Sequence, residues 1–267
     1  MAMGVAEVIP GISGGTLALI LGIYERLINA IHAFDTSLLS LLRERKITVA
    51  WNHIDGNFLI LLFVGMLVSI FTLSSVILFL MEDYPIGFKS FLTSLLLLSA
   101  FLKPLKPKIS LSFLLGVSLS LIICSFLYLL PEKEAFDISL WYLFLSGFVA
   151  ITALVIPGIS GSFILLLMGS YSSILMAVRD FNFIILTIFL FGAIIGLLTI
   201  VRLIKLLYEK QKDLLMSVFF GLIIFCIPLI WRSEGTDPNA VFGSTPILAG
   251  SAIGVCVVYL IQKFRKI

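Results

Sequence analysis

The feature that most constrains this chain is a stretch of nine residues that occurs twice. Residues 8–16 read VIPGISGGT and residues 155–163 read VIPGISGSF, so the first seven positions are identical at an offset of 147. We interpret this self-similarity as an internal duplication. Single identities continue at the same offset beyond the motif, at Leu19/Leu166, Gly22/Gly169, Tyr24/Tyr171, Ala30/Ala177 and Phe34/Phe181.

Each copy of the motif has the composition of a helix break with a polar tip. Proline lacks a backbone donor and obstructs the preceding helical turn, so a helix that arrives at Pro10 or Pro157 should end there. Ser13 or Thr16 is then expected to cap a new helix through residues 17–30. The unpaired amides at such a helix start favour anions, although small residues also allow close helix packing. The candidate substrate-binding residues are Pro10, Gly11, Ser13, Gly14, Gly15 and Thr16 in the first copy and Pro157, Gly158, Ser160, Gly161 and Ser162 in the second.

The composition places these repeats in a membrane. Of the 267 residues, 60% are hydrophobic and 12% are charged, and the mean hydropathy is +1.18, whereas about 25% of the residues of a soluble domain are charged. We therefore expect one all-α, polytopic membrane domain over residues 1–267. The net charge of +3 is too small and dispersed to indicate a nucleic-acid partner. The three cysteines lie singly in apolar runs, so we predict neither a metal site nor a cofactor.

Apolar segments follow each motif in sets of three. They cover residues 58–81, 86–102 and 109–130 in the first half and 183–204, 214–231 and 246–261 in the second. The motif helices are expected at 17–31 and 163–178, segment 138–156 leads into the second motif, and a polar connector lies at 35–57. The duplication thus predicts two repeats, residues 1–131 and 138–267, each with a broken-helix (re-entrant) hairpin and three transmembrane helices.

Lysine and arginine test this topology. If each motif is the tip of a hairpin that returns to its own side, thirteen of these residues lie on one side of the membrane and four on the other, with Arg26 on the motif helix. The positive-inside rule then makes the richer side, including the C-terminus, cytoplasmic. Three crossings per half is an odd number, so the two repeats should be inverted. The thirteen are Arg43, Arg45, Lys46, Lys103, Lys106, Lys108, Arg202, Lys205, Lys210, Lys212, Lys263, Arg265 and Lys266, and the four are Lys89, Lys133, Arg179 and Arg232.

Three charged side chains near the first motif are further candidates. Glu7 lies three residues before Pro10 in an apolar setting, and intramembrane carboxylates are costly and usually functional. Glu7 and Glu25 are therefore candidates for proton or cation coupling, the alternative for Glu7 being a place near the membrane surface. Arg26 points to a different face from Glu25. It is a candidate phosphate contact, or else an interfacial arginine.

These patterns favour a transporter over an enzyme. Inverted repeats with broken helices near the midplane are typical of secondary transporters. A membrane phosphatase acting on polyprenyl pyrophosphate needs an arginine and acid–base groups at its site, and neither nonamer contains an arginine or a histidine. We therefore predict no enzymatic activity and keep two alternatives, the phosphatase-like enzyme and a transporter of a small soluble anion.

The first motif and its continuation resemble a known family. Residues 6–27 read AEVIPGISGGTLALILGIYERL, and residues 157–163 read PGISGSF with Gly169 and Tyr171 following. In these features the chain resembles the PopT family of bacterial polyprenyl-phosphate transporters. The resemblance implies a multi-pass protein of the bacterial cytoplasmic membrane that returns undecaprenyl phosphate from the outer to the inner leaflet for cell-wall (peptidoglycan) synthesis. It implies a lipid flippase with a polyprenyl-phosphate substrate and membrane lipids as partners, and the sequence leaves a homo-oligomer open.

Overall fold

The fold was analysed in a computed structural model that describes residues 1–8, 13–102, 105, 107–129, 139–232 and 245–265. Within these ranges the chain is mostly α-helical and forms no β-strand. The helices are α1 (Ala2–Val8), α2 (Gly14–Leu21), α3 (Tyr24–His32), α4 (Thr36–Arg43), α5 (Ile47–His53), α6 (Gly56–Asp83), α7 (Pro85–Ala100), α8 (Leu111–Leu129), α9 (Leu140–Val155), α10 (Gly161–Leu167), α11 (Tyr171–Arg179), α12 (Phe183–Lys210), α13 (Lys212–Phe225), α14 (Ile227–Arg232) and α15 (Thr245–Arg265).

Both motif helices are broken, which corrects the expectation of continuous helices at 17–31 and 163–178. The chain bends by 117° between α2 and α3 and by 109° between α10 and α11. Gly22 and Gly169 adopt left-handed backbone angles, with φ of 76° and 70°, at these two breaks. A left-handed residue ends an α-helix, and glycine adopts this conformation without steric penalty. The sequence duplication therefore extends to the position and the backbone conformation of the break.

The apolar segments fold as helices, with one interruption that the sequence analysis did not predict. The segment expected at 214–231 consists of α13 and α14, with the break at Cys226. Pro228 lies in the first turn of α14, where its missing N–H is tolerated. The shorter segment expected at 86–102 forms α7, which is helical from Pro85 to Ala100.

Among the described helices, α6 and α12 are each long and apolar enough to cross a membrane. The number of such spans rises to four if each bent pair, α2 with α3 and α10 with α11, forms a single span. Shorter apolar stretches lie in α7, α8, α9 and α15. The coarse prediction of an all-helical chain with several apolar helices and broken helix pairs is therefore confirmed.

Glycine allows very close packing between the helix that enters each motif and a long helix. In the second half, a Cβ atom on Gly196 of α12 would lie 2.5 Å from the carbonyl oxygen of Phe148 on α9. In the first half, a Cβ atom on Gly65 of α6 would lie 2.9 Å from the nitrogen of Met1, next to α1. In lipid, the hydrophobic effect does not drive helices together. Small residues at such crossings let the two backbones approach closely, and the resulting van der Waals contacts stabilise the pair.

Two further helix pairs connect the two halves of the chain through glycine and serine. Helix α8 packs on α13, where Ser120 lies against Gly221. Helix α7 packs on α15, where Ser94 lies against Gly254. In the pair of α8 with α13, Gly116 of α8 also lies against Ser217 of α13. Each half therefore contributes one partner to each pair.

Candidate functional site

The two copies of the motif contact each other through hydroxyl groups of the first copy. The Ser13 hydroxyl donates a hydrogen bond of 2.6 Å to the carbonyl oxygen of Leu154. Its Oγ also accepts from the N–H of Gly15 at 3.1 Å, so Ser13 is the N-cap of α2, as one of the two predicted alternatives stated. Thr16 Oγ1 accepts from the N–H of Gly158 at 2.8 Å. Because Ser13 and Thr16 are almost completely buried, these bonds connect the motifs in the interior of the protein.

Glycine is required at this contact for two different reasons. A Cβ atom on Gly15 would lie 2.5 Å from the carbonyl oxygen of Val155, so no side chain fits between the two backbones. Gly158 has a φ of +95°, and a Cβ atom there would lie 2.7 Å from the carbonyl carbon of Leu222. Substitution at Gly158 is therefore strained as well as crowded. The close approach of the two motifs therefore depends on Gly15, whereas Gly158 is required for the turn of the second motif and its packing on α13.

The second motif has a hydroxyl pair at the start of α10. Pro157 is buried, and the hydroxyl oxygens of Ser160 and Ser162 lie 2.8 Å apart, close enough for either to donate to the other. Ser160 has the extended backbone of an N-cap, but its side chain accepts no hydrogen bond from the first amides of α10. A Cβ atom on Gly161 would lie 2.8 Å from the carbonyl oxygen of Ala150. Ser160 and Ser162 are thus not used for capping.

The side chain of Glu7, a residue of α1, reaches the first amide of α2 and makes the two motifs different. Its Oε1 accepts from the N–H of Gly14 at 2.9 Å. Leu154 occupies the equivalent position before the second motif, so α10 has no matching acid. The protein's own carboxylate therefore occupies an anion-binding amide of the first motif. Two other predicted site residues, Pro10 and Gly11, lie outside the described residues.

Arg26 is paired with an acid at the start of α6. Its Nε and Nη2 donate to the two carboxylate oxygens of Asp55 at 2.6 and 3.0 Å, and its guanidinium carbon lies 4.4 Å from the ring centroid of Phe58. The hydrogen bond from Arg26 holds the pKa of Asp55 below its usual value. Arg26 therefore connects α3 to α6 through a bidentate ion pair, the geometry that arginine favours.

Glu25 faces the other half of the chain, as expected of a residue adjacent to Arg26. Tyr208 of α12 donates its hydroxyl to Glu25 Oε2 at 2.7 Å. The Lys212 ammonium lies 4.3 Å from the ring centroid of Tyr208. The sequence analysis missed this contact, since Tyr208 is separated from Glu25 by 183 positions. The only signal in the sequence was the group of lysines Lys205, Lys210 and Lys212.

The tyrosine that follows the first break connects this region to the second motif. Tyr24 is 2% exposed, and its hydroxyl donates to the carbonyl oxygen of Val155 at 3.3 Å. Its ring meets the ring of Phe219 edge-to-face, with the centroids 5.6 Å apart, a favourable aromatic geometry. Within the described ranges, no group of three or more His, Cys, Asp or Glu side chains is placed to hold a metal ion.

These observations define a class of protein: a multi-pass, all-helical membrane protein whose two glycine-rich helix breaks contact each other. Residues 3–265 match the family described as VCA0040-like, undecaprenyl phosphate translocase-like, and the chain belongs to this family. The chain is 39% identical over 240 residues to a protein of Vibrio cholerae serotype O1 (strain ATCC 39315 / El Tor Inaba N16961) named polyprenyl-phosphate transporter. The match covers 88% of this chain and 77% of that protein. No solved structure matches the chain.

The family membership confirms the resemblance carried by the two motifs. The structure brings together Ser13, Gly15 and Thr16 of the first motif and Gly158 of the second. Arg26 is instead bound to Asp55.

Proposed function

We propose that this protein is a flippase that returns undecaprenyl phosphate from the outer to the inner leaflet of the bacterial cytoplasmic membrane. The observation that carries the proposal is the match of almost the whole chain to a translocase-like family, with 39% identity to a polyprenyl-phosphate transporter. Both names supply the substrate class, a phosphate monoester on a long isoprenoid chain. The direction follows from the resemblance to the PopT family and supports recycling of the carrier lipid for peptidoglycan synthesis.

In this proposal the contact between the motifs binds the phosphate. A hydroxyl has one donor hydrogen, and that of Ser13 is already given to Leu154. Thr16 accepts from Gly158 and donates to no group within the described ranges. Because Thr16 is buried, its hydrogen would reach a phosphate oxygen when rocking of the repeats opens the contact. The Ser160–Ser162 pair uses one of its two hydrogens internally and has one left. Thr16, Ser160 and Ser162 are therefore the hydroxyls that we assign to the phosphate.

Alternating access would follow from two inverted repeats, residues 1–131 and 138–267, that rock around this contact. The similar bends of 117° and 109° support two equivalent repeats. The reciprocal pairing of α7 with α15 and of α8 with α13 supports a pseudo-twofold relation between them. The isoprenoid tail would stay in the bilayer while the phosphate crosses.

The charged side chains fit an orientation with the lysine- and arginine-rich loops in the cytoplasm. Coupling to a proton or cation is assigned to Glu7, because its carboxylate must release the Gly14 amide before that amide can bind a substrate anion. Glu25 binds Tyr208 across the two halves, which makes it the second candidate.

The experiment is leaflet exchange of undecaprenyl phosphate in proteoliposomes, measured as accessibility of the headgroup to a reagent added outside. We expect protein-dependent exchange with no release of phosphate. The double variant Ser160→Ala/Ser162→Ala should lower the exchange rate about tenfold or more, because hydrogen bonds to a charged group are lost. Ser118→Ala is the matched control, since Ser118 is exposed on α8.

Three outcomes would contradict the proposal in different ways. Full exchange by the double variant would exclude the hydroxyl pair from the phosphate site. Release of phosphate from undecaprenyl pyrophosphate would favour the membrane phosphatase. Uptake of soluble anions without lipid exchange would leave an anion transporter and remove the lipid assignment.

A further inference from the structure

A cavity of about 810 Å³ is lined in part by Tyr24, the residue that bonds to the start of the second motif. It is bounded by the bend between α2 and α3, the loop that precedes α8 and the junction of α12 and α13. Its volume is within the range of about 300–1,000 Å³ typical of ligand sites. Leu19, Leu105 and Met216 provide an apolar part of the lining. The polar and charged lining includes Glu25, Lys108, Ser110, Tyr208, Lys212 and Asp213.

The two lysines reach this cavity from separate parts of the chain. Lys108 comes from the loop before α8 and forms no ion pair with any residue in the described ranges. Lys212 is the first residue of α13, and its interaction with Tyr208, followed by the charges of Glu25 and Asp213, raises the pKa of its ammonium. The ammonium group of Lys212 therefore keeps its positive charge at neutral pH.

We propose that this cavity is a second phosphate-binding site, in which Lys108 and Lys212 bind the phosphate of a polyprenyl phosphate at the lysine-rich side of the protein. The inference rests on the proposed function and adds a site to it. A phosphate monoester with an isoprenoid chain has an anionic head and an apolar tail, and the cavity has cationic and apolar walls to match. Inorganic phosphate shares only the head, so the apolar wall favours the lipid form.

Tyr24 lies between the cavity and the contact of the two motifs. Its side chain lines the cavity, and its hydroxyl bonds to the carbonyl of Val155, two residues before Pro157. A single buried side chain therefore separates the lysine site from the second motif. The cavity is placed where a phosphate would arrive from, or leave towards, the motif contact.

Glu25 is the internal competitor of the proposed ligand. Its carboxylate accepts from Tyr208 beside Lys212, so it occupies the region that we assign to the phosphate. Glu25 is exposed and is held there by a single hydrogen bond. A phosphate dianion interacts more strongly with an ammonium group than a carboxylate does, because it carries more charge. Binding would displace Glu25 and release the bond that joins α3 to α12.

The test is equilibrium binding of radiolabelled undecaprenyl phosphate to the purified full-length protein in detergent. We expect the double variant Lys108→Gln/Lys212→Gln to bind with a Kd raised about tenfold or more. Lys210→Gln is the matched control, since Lys210 is exposed near the same junction and does not line the cavity. Glu25→Gln should lower the Kd, because a negative charge beside the ligand is removed. Thermal unfolding of each variant checks that the fold is retained.

Other results would overturn the inference. An unchanged Kd in the folded double variant, or weaker binding by Glu25→Gln, would remove the phosphate from this cavity. Equal affinity for inorganic phosphate, with the same dependence on the lysines, would replace the lipid by the free anion. Lysine-dependent binding without leaflet exchange would instead contradict the transport proposal and leave the site in place.

Discussion

The hydrogen bond from Gly158 to Thr16 gives the sharpest test of the contact between the motifs. Thr16→Val keeps the shape of the side chain and removes the acceptor. Because Thr16 is 0% exposed and its Oγ1 lies 2.8 Å from the donor, water cannot replace the lost partner. An unpaired buried N–H costs about 1–3 kcal/mol, whereas side-chain hydrogen bonds between membrane helices average about 0.6 kcal/mol and reach about 1.7 kcal/mol. We therefore expect Thr16→Val to lower the free energy of unfolding by about 1–2 kcal/mol.

The assay is reversible unfolding of the purified protein in mixed micelles with increasing mole fraction of a denaturing detergent. Thr72→Val is the matched control, because the Thr72 hydroxyl donates to the carbonyl of Val68 in its own helix and the residue is exposed. The control should change the free energy of unfolding by less than about 0.5 kcal/mol. Equal stabilities of the Thr16→Val variant and the control would refute the idea that this bond holds the motifs together.

Substitutions at two further residues, Gly15 and Glu7, test the same region. Gly15→Ala should destabilise the protein by about 1–3 kcal/mol, as overpacking does. The control Gly87→Ala should be tolerated, because its Cβ would meet no atom closer than 3.5 Å. Similar unfolding curves for the two variants would contradict the close approach of the motifs at Gly15. Glu7→Gln keeps an oxygen for the first amide of α2 and Glu7→Leu does not, so we expect the leucine variant to unfold more easily. If Glu7 couples transport to protons, leaflet exchange by the glutamine variant should no longer respond to a pH gradient, and an unaltered response would exclude that role.

The end of the helix before each motif and the cap of the first motif helix could be predicted from the sequence. Proline and glycine act locally, so their effect follows from the residues themselves, and Ser13 is the N-cap. The bends after α2 and α10 could not be predicted in the same way. Gly22 and Gly169 resemble packing glycines in the sequence, and only the backbone angle distinguishes a helix end from a close contact.

The side-chain partners were less predictable because they depend on distant positions. Arg26 has a partner, Asp55, near the end of the polar connector. No local pattern in the sequence distinguishes a paired arginine from one that binds a phosphate ligand. The contact of Glu25 with Tyr208 joins α3 to α12. Periodicity and spacing identify elements, whereas these pairs depend on how the elements pack.

The pairing of α7 with α15 has a consequence for biosynthesis. Helix α15 is made after every other helix in the described ranges, so α7 emerges from the ribosome long before the helix with the matching Gly254 exists. Until then Ser94 and its neighbours must remain exposed to lipid or to an insertion chaperone. The N-terminal half is thus expected to remain incompletely packed during translation. Two halves expressed as separate chains should assemble through the pairing of α7 with α15.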